Sequence, residues 1–181
     1  MNDLWSKTKR HLTEGNFTEL QRELGGPDGF DREITAWHAA GRFDEVPDLL
    51  AEALSCACML GRTSLAAYLL DSGVRAFEGM RTGLAGPHYA ASGARLDTMK
   101  MLLGRNIELE VENMYGGTVL GQALWSAVNE SKEAHGEIII SLLDAGAVVE
   151  PGTLDWWEQQ RVSDEPTYTR VANALRQRSV I

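Results

Sequence analysis

Residues 85–110 read Ala-Gly-Pro-His-Tyr-Ala-Ala-Ser-Gly-Ala-Arg-Leu-Asp-Thr-Met-Lys-Met-Leu-Leu-Gly-Arg-Asn-Ile-Glu-Leu-Glu. Pro87 marks a helix start, because the N–H it lacks would have no partner in the first turn. His88, Ala90 and Ala91 follow on a short helix. Gly93 stops that helix, and Leu96, Met99, Leu102 and Leu103 recur at helical spacing on a second one. The stretch predicts two helices joined by a tight turn.

The pattern recurs on both sides. Upstream, residues 56–73 read Cys-Ala-Cys-Met-Leu-Gly-Arg-Thr-Ser-Leu-Ala-Ala-Tyr-Leu-Leu-Asp-Ser-Gly, and Gly61 lies 33 positions before Ala94. Downstream, residues 113–118 (Asn-Met-Tyr-Gly-Gly-Thr) lead into Val-Leu-Gly-Gln-Ala-Leu, and residues 138–150 end in Leu-Leu-Asp-Ala-Gly-Ala-Val-Val-Glu. Gly146 stands where a helix stops in the left-handed conformation. The breaks at Ala94 and Ala134 are 40 positions apart, so the third unit carries extra residues between Ala123 and Gly136. Ala123, Leu124, Ala127 and Val128 keep the apolar spacing, which predicts a first helix longer by a turn or more.

This unit resembles an ankyrin repeat, whose signature is Thr-Pro-Leu-His-x-Ala in about 33 residues. The resemblance implies an all-α helix-turn-helix solenoid with short β-hairpin fingers and helical caps at both ends. Three repeats would occupy residues 47–80, 81–114 and 115–150, the last with an insertion near 125–135. The caps would be 1–46 and 151–181, since stacked repeats need polar-faced terminal units. Ala85-Gly86-Pro87 replaces Thr-Pro-Leu here, and Ser55 and Gly121 stand in the histidine's place in the other units.

The ends are read from local signals. From Asp3 to Leu24 a helix pair is expected, with Leu4, Trp5 and Leu12 on the first helix, a break at Gly15-Asn16, and Phe17, Leu20 and Leu24 on the second. Residues 25–29 (Gly-Gly-Pro-Asp-Gly) read as a turn cluster, and Asp31 as the cap of a helix to Ala40. Pro47 predicts a longer helix through Leu60. Gly15, Gly41 and Gly61 are only 26 and 20 positions apart, too close for full repeats. Near the C-terminus, Thr153 is expected to cap a short helix and Pro166 to open the last one.

With 181 residues, 44% apolar and 24% charged, the chain has the make-up of an ordinary globular domain. Its 17 Lys and Arg against 26 Asp and Glu leave a net charge of −9. That field repels phosphate backbones and anionic lipid, so nucleic acid and membrane are not expected partners, and a protein with a basic face is. The stretch 138–149 is too short and too interrupted to span a bilayer. The N-terminus lacks the apolar run of a signal peptide. Cys56 and Cys58 are too few for a disulfide framework and lack a second pair for zinc. Both align with core positions, which points to a reducing, cytoplasmic setting and to no bound metal or cofactor.

His88 is the one histidine in a motif, and the resemblance implies that it hydrogen-bonds across the repeat turn. As a general base it would need a nucleophile or an orienting carboxylate, and none is arranged beside it in the sequence. His11, His38 and His135 are scattered and receive no role. No strand precedes a glycine-rich phosphate loop, and Glu108, Glu110, Asp44 and Glu45 read as solvated.

The resemblance also implies a concave binding face made of fingers and first helices. Its finger tips align with Glu78 and Arg81, then with Glu112, Met114 and Tyr115. Met114, Tyr115 and Trp125 suit an interface patch. Equally, Trp125 could fold back onto the core and the insertion could be a surface loop. The function expected is non-catalytic protein binding by a monomer, possible forms being an inhibitor or immunity-type protein over a basic enzyme or toxin. The rivals are an enzyme or accessory domain using His88, and a self-associating protein using Trp156 and Trp157.

Overall fold

Apolar spacing of three and four builds helices, and glycine or proline punctuates them. In the computed structural model, which describes residues 4–130, 132–160 and 165–178, eleven helices follow in order. They are α1 (Leu4–Glu14), α2 (Phe17–Glu23), α3 (Gly26–Ala39), α4 (Pro47–Leu60), α5 (Thr63–Asp71), α6 (Gly86–Ser92), α7 (Leu96–Leu103), α8 (Val119–Asn129), α9 (His135–Asp144), α10 (Thr153–Glu158) and α11 (Glu165–Arg178). Asp3, Ser131 of the insertion, and residues 161–164 and 179–181 of the expected C-terminal cap lie outside the described residues.

The fold is all-α. α1, α4, α6 and α8 touch in succession, and α5, α7, α9 and α11 form a second row behind them. α4 sits where the rows meet α1 and α2, so it is buried on most sides, including Leu49, Leu54, Cys56 and Cys58. That enclosure explains how two cysteines facing different directions both reach the core. Leu69, Met99, Leu102, Ile138 and Leu142 carry the core onward. Side chains also tie the second row to α3 and its own members to each other. Arg62 grips Asp31 with two bonds of 3.0 and 2.7 Å, and the Thr63 and Thr98 hydroxyls share a hydrogen bond of 2.8 Å.

The backbone repeats with the sequence. Gly61 and Ala94, Gly73 and Asn106, and Gly83 and Gly116 are pairs 33 positions apart, and all six residues have left-handed φ between 53° and 98°. Each ends a helix or turns a loop, where that conformation reverses the chain. Gly146 adopts it too, at φ 97°. α8 spans 11 residues against 7 in α6, so the extra sequence of the third unit lengthens its first helix by about a turn.

Four expectations are corrected. Residues 26–29 are not a turn cluster: α3 begins at Gly26, with Pro27 in its first turn. Asp31 therefore lies inside α3 and pairs with Arg62 rather than capping. Gly29 is in this helix because a Cβ there would lie 1.9 Å from the Leu24 carbonyl oxygen. Thr153 is the first helical residue of α10, and left-handed Gly152 precedes it. Among the described residues no strand forms, so the loops expected as β-hairpin fingers are turns. One backbone bond, from Met114 N to Gly83 O at 3.0 Å, joins them.

Candidate functional site

The loop between α7 and α8 is built around one side chain. Buried Asn113 accepts hydrogen bonds at Oδ1 from the backbone N–H of Tyr115 (2.8 Å) and Gly117 (3.1 Å), and its own N–H donates to the Gly117 carbonyl (2.9 Å). Its amide nitrogen donates to Gln122 Oε1 (3.2 Å), and Gln122 Nε2 donates to Ser126 Oγ (3.1 Å). Asn and Gly suit such a turn because asparagine can bond its own backbone and glycine tolerates positive φ. Thr118 then caps α8, its hydroxyl accepting from Gly121 N at 3.2 Å. The loop is thus anchored at both ends.

From this anchored loop Met114 and Tyr115 project into solvent, 70% and 81% exposed, and from α8 so does Trp125, 51% exposed. Trp125 therefore does not fold back onto the core. Tyr115 and Trp125 line one cavity of about 600 Å³, with Leu84, Gly121, Gln122 and Glu130. A second cavity of about 440 Å³ shares Gly121 and Trp125 and runs on to Pro151 and Trp156. Together they make a groove over the first-row helices. Gly121 explains its floor. Gly121 lies 33 positions after His88, and it supplies no side chain where His88 reaches across to the next loop.

The other expected partner-binding residues lie apart from this groove. Arg81 is held by Asp48 at 3.0 Å, and Glu78 sits 4.0 Å from Arg75. Neither lines the groove. Glu112 is exposed on the loop just before Asn113. Leu84, Gln122, Glu130 and Trp156 were not expected as part of one site. Only the glycine in the histidine position signalled a gap there.

The histidine chemistry is structural in geometry. His88 is buried, its Nδ1 accepting from Ala85 N (3.4 Å) and its Nε2 donating to Val111 O (3.0 Å). That pattern makes it the neutral Nε2–H tautomer, with both nitrogens engaged. Burial holds its pKa below the usual imidazole value. His135, which sequence reasoning passed over, repeats the device: Lys132 N donates to Nδ1 (3.1 Å) and Nε2 donates to Ser92 O (3.1 Å). Burial lowers its pKa as well. Ser55 plays the part in the first unit, donating to Gly79 O at 2.9 Å.

Both thiols are fully buried. Burial pushes Cys58 up to about 12 and Cys56 well above its ordinary value, the opposite of an activated nucleophile. Among the described residues no group of three or more His, Cys, Asp or Glu is placed to hold a metal ion. Among the described residues no helix is long and apolar enough to cross a membrane. Trp157 is buried, stacked on Tyr168 with ring centroids 5.7 Å apart, so of the Trp156–Trp157 pair only Trp156 reaches the surface. No model of a known protein family matches this chain, and no curated protein matches it in sequence.

Proposed function

We propose that the chain is a non-catalytic protein-binding module, an ankyrin-like solenoid that meets its partner along the groove between the 104–118 loop, α8 and α10. One observation carries this: Tyr115 and Trp125 stand exposed around a single cavity, on a loop and a helix that their own hydrogen bonds hold still. Exposed aromatic side chains on rigid supports lose little entropy on docking and bury much area. The left-handed pairs 33 positions apart, the two rows of successive helices and the His88 bond across the turn support the ankyrin-like reading. The net charge of −9 favours a partner with a basic face, and the buried thiols suit a reducing cytoplasm.

A photo-crosslinking amino acid tests it. Placed at Trp125, it should capture one specific protein partner in cells. Placed at Arg32, an exposed residue on α3, it should not. Capture from Arg32 alone, or equally from both sites, would move the binding face elsewhere.

A further inference from the structure

We infer that the groove takes a linear peptide segment of a partner, with one large apolar side chain flanked by lysine or arginine. This rests on the groove being the binding face, and adds what fills it.

The shape comes first. Two cavities of about 600 and 440 Å³ join end to end at Gly121 and Trp125. The larger is within the usual range for ligand sites, but sites for small molecules enclose most of their ligand. Here the walls are Tyr115 and Trp125, each with half or more of its surface in solvent. An open trough of this kind suits a chain that enters at one end and leaves at the other.

Polarity comes second. The hydrogen-bonding groups on the floor already serve each other: Asn113 holds Tyr115 N, Gly117 N and Gln122, and Gln122 holds Ser126. Beyond those groups the lining consists of Leu84, the two aromatic rings, glycine backbone, Ser92 and, at one end, Glu130. Such a surface rewards an apolar anchor rather than a polar one.

Charge comes third. Glu130 is the charged residue among those lining the two cavities. Exposed Glu112 and Asp155 adjoin Asn113 and Trp156 in the chain. Lys132, 3.5 Å from Glu130, is the nearest cation along α8 and its following turn, and Arg81 on the preceding loop is engaged by Asp48. Among the described residues that line the two cavities there is no cation to meet a carboxylate or phosphate. A lysine or arginine would meet Glu130 and the faces of Tyr115 and Trp125.

Selection from a phage-displayed library of random twelve-residue peptides, panned in parallel on the wild-type protein and on Trp125→Ala, tests this. Thermal melts first show that the variant is folded. Clones that prefer the wild type should share one Trp, Phe, Leu or Met between Lys or Arg residues. A fluorescein-labelled synthetic copy of the strongest clone should bind the wild type at least about tenfold more tightly than Trp125→Ala. Glu130→Lys should weaken it by a similar factor, and added salt should weaken it further. Clones with acidic flanks or no apolar anchor, or binding indifferent to Glu130→Lys, would overturn the inference while leaving the groove as the binding face. Failure of any clone to tell the wild type from both Trp125→Ala and Tyr115→Ala would overturn the groove reading as well. A dimer seen by light scattering and lost in Trp125→Ala would name a second copy as the occupant and overturn the inference too.

Discussion

Glu52 is a carboxylate in the core. It lies buried in α4, with Oε1 accepting from Arg81 N at 2.8 Å and Oε2 without a hydrogen-bond partner among the described residues. Burial pushes its pKa above the usual carboxylate value. A folded-state pKa above the unfolded one means that its stabilising contribution is complete below the unfolded value and is lost as pH rises through the folded one. Glu52→Gln keeps the acceptor for Arg81 without the charge. It should therefore raise the unfolding free energy at pH 8 by about 1 kcal/mol and lose that advantage near pH 4. Denaturant unfolding at the two pH values decides it, and a variant weaker than the wild type at both would refute it. A second contrast separates core from surface. Leu102 is fully buried on α7, so Leu102→Ala should cost about 2–5 kcal/mol through lost burial and a cavity. Tyr115→Ala with Met114→Ser should stay within about ±0.5 kcal/mol per site in the same assay. The same pair should weaken partner binding by about 2 kcal/mol or more if this loop anchors the interface, as titration calorimetry would measure.

At the scale of elements, one device ties helices to segments far along the chain. Ser55, His88 and His135 each reach from a helix to a carbonyl of another segment: Gly79, Val111 and Ser92. Gly79 can lie so close to α4 only because it has no side chain; a Cβ would stand 2.4 Å from the Ala51 carbonyl oxygen. The two imidazoles make these joints acid-sensitive. Their folded pKa values are lowered by burial, so their contribution is present above the unfolded value near 6.5 and is lost as pH falls through the folded values. Glu52 acts in the opposite sense, so the measurement belongs in the Glu52→Gln background. Between pH 7 and 5 the melting temperature should fall there, and His88→Gln with His135→Gln should start lower but flatten the slope. An unchanged slope would show that the imidazoles titrate alike in the folded and unfolded chains. The paired surface carboxylates Glu19 and Glu137 are lowered by Arg22 and Arg170, so their contribution fades only below the ordinary carboxylate value, beneath this window.

Over the whole molecule, contacts run from neighbour to neighbour. α4, α6 and α8 each touch helices on both sides, whereas α10 rests mainly on α11, and α11 on α9. In such a stack, stability falls toward an end that has only one neighbour. Amide hydrogen exchange should be slowest in α4, α6 and α8 and fastest in α10 and α11. Uniform protection across all eleven helices would mean a single cooperative unit instead. Much of this order was legible in the chain, because helix starts at Pro47 and Pro87 and stops at Gly61 and Gly146 depend on residues within a turn or two. The start of α3 was not. Gly25, Gly26 and Gly29 look like a turn in isolation, but in the structure Gly29 is a helical residue whose Cβ would crowd the Leu24 carbonyl oxygen. The site was legible in part. Tyr115 and Trp125 could be named as exposed aromatic side chains, whereas Leu84 and Trp156, more than thirty positions away on either side of Tyr115, join them only through the packing of successive units, and Met114, named with them, lines neither cavity.

Sequence alone determined most of the helices, the 33-residue spacing of the breaks at Gly61 and Ala94 and the acidic charge, because each is set by local residue pattern or by composition. Tertiary structure decided the rest. It closed α4 around Glu52 and both thiols, gave His135 its distant carbonyl, turned Arg81 toward Asp48, and left the missing side chain of Gly121 as open space. In each case the deciding atoms belong to segments far apart in the chain, and burial, hydrogen bonding and empty volume exist only once those segments are in contact.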